Sequence, residues 1–143
     1  MTYDPGNIFA KILRGELAAY KVYEDDRALA FLDIMPRVAG HALVIPKAPA
    51  RNLLDVEAAD LAAVMSLAQR VARAQMRVFE AQGITLTQHN EQAGGQEVFH
   101  LHVHVMPRHT GIELRAPLSY REAPDVLAGQ AARLADALAG SLH

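Results

Sequence analysis

Three histidines alternate with aliphatic residues in the run His100-Leu101-His102-Val103-His104-Val105-Met106. Successive side chains of a β-strand point to opposite faces, so a strand over 100–106 places the three imidazoles on one face. Imidazole can bind a metal, attack an electrophile or carry a proton near neutral pH. A purely structural strand would have to provide polar partners for all three rings. The spacing therefore predicts a functional site.

Two chemistries fit this histidine run. As metal ligands, alternate histidines can bind zinc with a further ligand from elsewhere in the chain. As a covalent catalyst, the central histidine attacks an electrophile while its neighbours fix its tautomer and stabilise developing charge. The preceding Gly94-Gly95-Gln96 segment favours the second chemistry. Glycine-rich loops present backbone N–H groups to phosphate oxygens, whereas a catalytic zinc more often recruits a carboxylate or cysteine.

Composition limits the classes of protein that the chain can represent. Its 143 residues suit one domain, and 51% hydrophobic with 21% charged residues is typical of a globular fold. A net charge of −2 provides no broad basic surface for a nucleic-acid polymer. The absence of cysteine excludes disulfides and thiolate–metal sites. We see no signal peptide and no apolar stretch of transmembrane length, so we expect a cytoplasmic protein without membrane contact.

The elements that position these residues follow from periodicity and from helix and turn signals. Helices are predicted over 7–14, over 55–82 with Asp55 as N-cap and Gly83 at the end, and over 125–138. Strands are predicted near 21–24, 28–34, 42–45, 84–87 and 100–106, the last of these ended by Pro107. The mixture predicts an α+β fold with a mostly antiparallel sheet.

The histidine run resembles the signature of the histidine-triad (HIT) nucleotide-binding superfamily. Further resembling blocks, in the order that the family has them, cover 7–12, 23–26, 30–36, 40–47 and 93–99. They span most of residues 7–109 and are most similar to the Hint-like, purine nucleoside phosphoramidase branch. The resemblance implies a single HIT domain over residues 1–143, with the C-terminal helix outside the resembling blocks.

The resemblance also implies an activity. Members bind a purine nucleotide or nucleotide conjugate and attack its α-phosphate with the middle histidine, His102 here. A nucleotidyl-histidine forms and water hydrolyses it, so the chain would be a hydrolase or nucleotidyl transferase without a cofactor, acting as a homodimer. Phosphoramidate substrates are favoured over dinucleoside polyphosphates. The alternatives are a nucleotide-binding regulatory protein with incidental catalysis and a zinc enzyme.

Residue roles come from the same resemblance. His102 would be the nucleophile, its tautomer fixed by a backbone carbonyl near His100, and His104 would donate toward phosphate oxygens. His100 and His41 would support the nucleophile, and Gln96 would lie beside the scissile bond. The implied nucleotide-binding residues are Ile8, Phe9, Phe31 and Ile34 around the base, Asp33 at the ribose, and Asn90, Gly95, Gln96 and the backbone N–H of Glu97 at the phosphate.

The sequence departs from the family pattern at three places. Asn7 and Ala10 stand where some members carry a Cys-x-x-Cys pair, so we expect no structural zinc. Glu97 stands where the Hint-like branch commonly has serine, and the chain lacks that branch's tryptophan-bearing tail. No role is assigned to the remaining histidines, which are His89, His109 and His143.

Overall fold

The computed structural model describes residues 2–140, so His143 lies outside the described residues. The helices are α1 (Ile8–Leu13), α2 (Ala58–Val78) and α3 (Pro124–Ala139). The strands are β1 (Lys21–Glu24), β2 (Ala28–Leu32), β3 (Ala42–Pro46), β4 (Gly83–Thr87) and β5 (Val103–Arg108). They form one antiparallel sheet in the order β1-β2-β3-β5-β4. The predicted α+β fold is confirmed, with its short, long and C-terminal helices.

The sheet is covered on both faces at its centre, because every residue of β2 and β3 is buried. On one face, residues such as Leu32 and Val44 pack with α2 and α3. On the other face, Phe31 and Leu43 pack with Phe9 of α1. Residues opposite each other in an antiparallel pair share a face, and His104 is opposite Leu43. His104 therefore points to the α1 face of the sheet.

Local sequence signals fix the ends of α1 and α3. The Asn7 side chain accepts a hydrogen bond from the backbone N–H of Ala10 at 2.9 Å and begins α1. The chain leaves α1 at Gly15, whose φ of 78° is a left-handed conformation that favours glycine. Pro124 lies in the first turn of α3, where its missing N–H is not needed. Both helices lie within one residue of their predicted bounds.

The predicted ends of the long helix are wrong. Asp55 is not the N-cap, because its carboxylate accepts from the backbone N–H groups of Arg51 at 3.1 Å and Asn52 at 2.9 Å. It stabilises the turn before α2, and Glu57 takes the N-cap position without a side-chain cap bond. At the other end, α2 stops at Val78, and Glu80 with its φ of 50° turns the chain before β4.

Within residues 2–140, no helix combines the length and apolarity needed to cross a bilayer.

The predicted strand over 100–106 is wrong at both ends. β5 begins at Val103, so only the third histidine of the run lies in the strand. The backbone before it bonds elsewhere, since the N–H of Leu101 donates to the carbonyl of Ala50 at 2.9 Å. β5 also continues through Pro107 to Arg108. β3 pairs with β5 only over residues 103–105, whereas β4 pairs with it as far as Arg108. Pro107 therefore lies where β5 is paired on one side, and a residue without an N–H is tolerated there.

Candidate active site

A cavity of about 680 Å³ opens on the α1 face of the sheet. This volume falls in the usual range for small-molecule sites, roughly 300–1,000 Å³. Its walls include most of the predicted site residues, which are Ile8, Phe9, Phe31, Asp33, Ile34, His41, Gly95, Glu97, His102 and His104. Asn90, Gln96 and His100 do not line it. Residues more than sixty positions apart thus meet in one cavity.

A second depression of about 460 Å³ lies between α2 and the turn that joins β1 to β2. Its walls carry charges of both signs, from Asp25, Asp26, Arg27 and Arg70. It contains no imidazole and none of the predicted site residues. We therefore assign the candidate site to the larger cavity.

His102 is held in one tautomer. Its Nδ1 lies 2.7 Å from the backbone carbonyl oxygen of His100, and a carbonyl oxygen only accepts, so Nδ1 carries the proton. The lone pair of the neutral ring is therefore on Nε2. Burial lowers the pKa of His102 to about 4, which keeps the imidazole neutral at pH 7. A neutral imidazole with its lone pair in a cavity can act as a nucleophile.

His104 is held in the opposite tautomer through His41. The backbone N–H of Arg37 donates to Nδ1 of His41 at 3.0 Å, so the proton of neutral His41 is on Nε2. That Nε2 lies 2.9 Å from Nδ1 of His104 and donates to it. Burial, followed by nearby positive charge, lowers the pKa of His41 to about 4 and that of His104 to about 3. His104 therefore carries its proton on Nε2 and can donate to a ligand beside the nucleophile.

His100 lies behind the site rather than in it. Its side chain is fully buried, and its Nε2 donates to the carbonyl of Pro46 at 2.8 Å. Its Nδ1 accepts from the hydroxyl of Tyr3 at 2.6 Å. Burial lowers the pKa of His100, so the ring is neutral. His100 positions His102 through its backbone carbonyl, and Tyr3 is a supporting residue that sequence reasoning missed.

Asp33 presents a carboxylate to the cavity near the His41–His104 pair. One oxygen accepts from the backbone N–H of Met35 at 2.9 Å, and the other lies 3.7 Å from Nε2 of His41. Since His41 is neutral at pH 7, this contact is not an ion pair. Burial raises the pKa of Asp33. The second oxygen can accept hydrogen bonds from ligand hydroxyl groups.

Asp33, His41 and His104 could also hold a metal ion, because their ligand atoms all lie within 4.8 Å of one another. Metal binding requires a lone pair from each nitrogen. The 2.9 Å hydrogen bond between Nε2 of His41 and Nδ1 of His104 occupies both of those nitrogens. The donor set thus fits a proton-sharing pair better than a metal centre.

The side chain of Gln96, predicted beside the scissile bond, does not line the cavity. Its Oε1 accepts from Nδ2 of Asn52 at 3.1 Å and from the backbone N–H of Glu91 at 2.8 Å. Its Nε2 donates to the carbonyls of Arg51 at 2.7 Å and Val98 at 3.0 Å. All four hydrogen-bonding positions of the amide are used within the protein. Gln96 therefore fixes the loop from inside.

Asn90 also points away from the cavity. Its Oδ1 accepts from the backbone N–H of Leu53, and its amide exchanges hydrogen bonds with the side chain of Gln88. The predicted phosphate-facing role of its side chain is thus corrected in the same way as that of Gln96. In both cases the partner lies in the segment between β3 and α2 or in the β4–β5 loop. Spacing in the sequence could not reveal these partners.

Backbone hydrogen bonds decide which residues of the predicted phosphate-binding loop can donate to a ligand. Gly95 lines the cavity with a φ of 93°, a conformation that favours glycine. Its N–H already donates to the carbonyl of Gln92 at 3.0 Å and is therefore engaged within the loop. The N–H of Glu97 donates to no acceptor within residues 2–140. The backbone N–H of Glu97, the predicted donor, is thus available to a ligand.

His89, which no sequence pattern assigns to the site, lines the same cavity. Its ring centroid lies 5.9 Å from that of His104 in an edge-to-face arrangement. Its Nδ1 lies 3.1 Å from the carbonyl of Gly94. A titratable residue directly before a glycine-rich loop is the signal that could have found it. His109 bonds instead to the carbonyl of Phe79 and lies outside the cavity.

Gln75 is a buried polar residue of α2 that supports the paired histidines. Its Nε2 donates to the carbonyl of Gly40 at 3.0 Å and to that of Val105 at 2.9 Å. These carbonyls are next in sequence to His41 and His104. One helical side chain thus ties together the two backbone segments that carry the hydrogen-bonded pair. Helical periodicity gives no indication of this role.

Comparisons with known proteins agree with this arrangement. Residues 14–111 match the HIT domain. An uncharacterised HIT-like protein of Borreliella burgdorferi is 44% identical over 71% of this chain and 74% of its own length. The adenylylsulfatase HINT3 of Arabidopsis thaliana is 37% identical over 71% of this chain and 51% of its own length. The crystal structure of a HIT-like protein from Bartonella henselae, described as involved in cell-cycle regulation and solved with an unknown ligand, superposes with a TM-score of 0.92. It is 44% identical and the match covers 96% of this chain and 99% of that one.

Proposed function

The chain belongs to the HIT domain family, and from this premise we propose that it cleaves nucleotide conjugates at the α-phosphate through a covalent nucleotidyl-His102. One observation carries the proposal. The lone pair of His102 is on Nε2, because Nδ1 donates to the carbonyl of His100. The neighbouring His104 has its proton on Nε2, because its Nδ1 accepts from His41. A nucleophile and a hydrogen-bond donor thus share one cavity wall, which is what attack on a phosphate ester requires.

The rest of the cavity suits a nucleoside. Phe9 and Phe31 form an edge-to-face pair with centroids 5.4 Å apart, and Ile8 and Ile34 add further apolar surface. A flat purine base packs well between such side chains. The Phe9 ring also lies 5.0 Å from that of His102, so a base held there is close to the nucleophile. The carboxylate of Asp33 would accept hydrogen bonds from the ribose hydroxyls.

The covalent step follows from the two tautomers. Nε2 of His102 attacks phosphorus, the bond from phosphorus to the leaving atom breaks, and its electron pair departs with that atom. The positive ring of the nucleotidyl-histidine keeps its Nδ1–H on the carbonyl of His100. His104 and the backbone N–H of Glu97 donate to the non-bridging oxygens as charge develops. Water then attacks phosphorus and gives up one proton, the bond to Nε2 breaks, and the lone pair returns to His102.

We infer that phosphoramidates, in which an amine is joined to the nucleotide, are the substrate class. The Arabidopsis relative is named for an adenylyl conjugate, which supports a small leaving group on an adenylyl phosphate. A dinucleoside polyphosphate hydrolase is the alternative activity. Steady-state turnover of adenosine 5′-phosphoramidate and of diadenosine polyphosphate would separate the two.

We also propose that the protein forms a homodimer. β4 is an edge strand of the sheet, and Leu86 on that strand is 45% exposed. Met65 and Met76 of α2 are exposed as well, so both the edge strand and α2 present apolar side chains to solvent. Sedimentation at micromolar concentration tests the proposal, and a monomer alone would contradict it.

The cytoplasmic location stays a prediction.

Kinetics of His102→Ala test the enzymatic function. We expect wild-type protein to turn over adenosine 5′-phosphoramidate, and we expect turnover by His102→Ala to fall below detection with nucleotide binding retained. His109→Gln is the matched control, since His109 also bonds to a backbone carbonyl but lies outside the cavity. Nucleotide binding by wild-type protein without any turnover would instead establish a nucleotide-binding regulatory protein.

A further inference from the structure

We propose that His89 is the acid–base residue that protonates the leaving group and then activates the hydrolytic water. The inference rests on the proposed nucleotidyl transfer and assigns a further catalytic residue to it. His89 lies on the connection between β4 and the glycine-rich loop and lines the cavity together with His102 and His104. Its place on the cavity wall, rather than its sequence context, suggests the role.

The contacts of His89 define which of its nitrogens is engaged within the protein. Nδ1 lies 3.1 Å from the carbonyl oxygen of Gly94, so Nδ1 carries a proton. Nε2 is therefore the nitrogen at which protons are exchanged. A side chain on Gly95 would come within 3.3 Å of Nδ1, so a glycine at this position lets the imidazole lie against the loop. The loop thus contacts the Nδ1 side of the His89 imidazole through the carbonyl of Gly94.

The other three imidazoles of the cavity are committed to different tasks. The proton of His102 is held by the carbonyl of His100, and the proton of His41 is held by His104. His104 is half-buried and can donate a hydrogen bond, but burial and then the neighbouring imidazoles lower its pKa and disfavour its charged form. Cleavage of a phosphorus–nitrogen bond requires transfer of a whole proton to the amine. His89 is only partly buried, so its ring can exchange protons with solvent between the two steps.

His89 gives up a proton in the first step and takes one back in the second. As His102 attacks, the bond from phosphorus to the amine nitrogen breaks and the nitrogen keeps the electron pair. That nitrogen takes the proton from Nε2 of cationic His89, which leaves a neutral amine and a neutral imidazole. In the second step Nε2 of His89 removes a proton from water as its oxygen attacks phosphorus. The nucleotide leaves His102, and His89 is cationic again.

Leaving-group dependence tests the role. Two adenosine 5′-phosphate derivatives are compared, an alkyl phosphoramidate whose amine must be protonated and a p-nitrophenyl ester whose phenolate leaves unprotonated. For His89→Gln we expect kcat/KM to fall about 100-fold or more on the phosphoramidate, in line with general acid catalysis. On the nitrophenyl ester the rate of nucleotidyl-His102 formation should change by less than about threefold. Added imidazole should restore turnover of the phosphoramidate by His89→Ala.

Three controls accompany this comparison. His109→Gln should match wild type on both substrates, because His109 lies outside the cavity. Glu97→Gln tests the competing candidate, a second solvent-accessible titratable side chain on the wall, and we expect the selective loss on the phosphoramidate in His89→Gln and not in Glu97→Gln. Thermal unfolding of each variant verifies the fold.

In wild type alone, the rate should depend only weakly on the basicity of the leaving amine.

Several results would overturn the role of His89. These are an equal loss on both substrates, no loss on either, no rescue by imidazole, or the selective loss appearing in Glu97→Gln instead. A steep dependence of the wild-type rate on amine basicity would overturn it without any variant. Failure of the proposed function looks different. In that case wild-type protein would turn over neither substrate, or the nucleotidyl group would form on a residue other than His102.

Discussion

The neutral state of His102 at pH 7 should be visible in the pH dependence of stability. Burial lowers the pKa of His102 from 6.5 to about 4 in the folded protein. At about 1.4 kcal/mol per pH unit, this difference corresponds to about 3 kcal/mol. The unfolded chain binds the proton more readily, so acid favours unfolding. The contribution is fully present above pH 6.5 and is lost as the pH falls toward 4.

The perturbation is His102→Gln, which keeps an N–H donor for the carbonyl of His100 but does not titrate. Between pH 7 and pH 5, linkage gives a loss of about 2 kcal/mol from His102 alone. The unfolding free energy of wild type should therefore fall by about 2 kcal/mol more than that of the variant over this interval. Urea unfolding at pH 7, 6 and 5 measures the difference, and a constant urea m-value shows that the compared states are the same.

Parallel loss of stability in wild type and His102→Gln between pH 7 and pH 5 would refute this reasoning. Nitrogen-15 NMR of the imidazole gives a direct check, since it distinguishes the two neutral tautomers and the cation. We expect the Nδ1–H tautomer of His102 to persist from pH 7 to pH 5. A cationic ring at pH 6 would show that burial does not keep the nucleophile neutral.

Three further predictions concern the residues around the nucleophile. Tyr3→Phe removes the donor to Nδ1 of buried His100, so we expect a loss of about 1–3 kcal/mol in unfolding free energy and a fall in kcat with little change in KM. Gln75→Leu leaves two backbone carbonyls without their shared donor, and denaturant unfolding should show a loss of about 1–3 kcal/mol; an unchanged midpoint would contradict the contacts. Asp33→Asn should raise KM for a ribonucleotide substrate about tenfold, because a hydrogen bond to a charged group is lost. KM for a 2′,3′-dideoxy analogue should not change. An equal effect on both substrates would show that Asp33 does not bind the ribose.

The sequence predicts the fold, and the face of the sheet on which His104 lies, well where the signals are local. Alternation correctly places His104 on the face opposite Val103 and Val105, because those residues do lie in a strand. Asn7 as N-cap and Gly15 as the end of α1 likewise depend only on adjacent residues. The family resemblance adds the distant Asp33 and His41 to the same site, and both line the cavity.

What the sequence does not predict depends on contacts between distant residues. Alternation extends the strand back to His100, whereas the imidazole of His100 is held by the carbonyl of Pro46 and the hydroxyl of Tyr3. Gln96 has the right residue type for a phosphate contact, but its amide is fully hydrogen-bonded to four partners, two of which lie in the distant segment between β3 and α2. No periodicity marks His89. Its position beside His104 exists only after the β4–β5 loop folds.

Location of the covalent nucleotidyl group tests the central claim most directly. Wild-type protein is mixed with an adenosine 5′-phosphoramidate and quenched within one turnover in base, since phosphorus–imidazole bonds are labile in acid. Peptide mass spectrometry then locates the adenylyl group. The tautomers of His102 and His104 predict that it is on His102 and absent from His102→Ala. An adenylyl group on any other residue, or turnover without a covalent intermediate, would contradict the account.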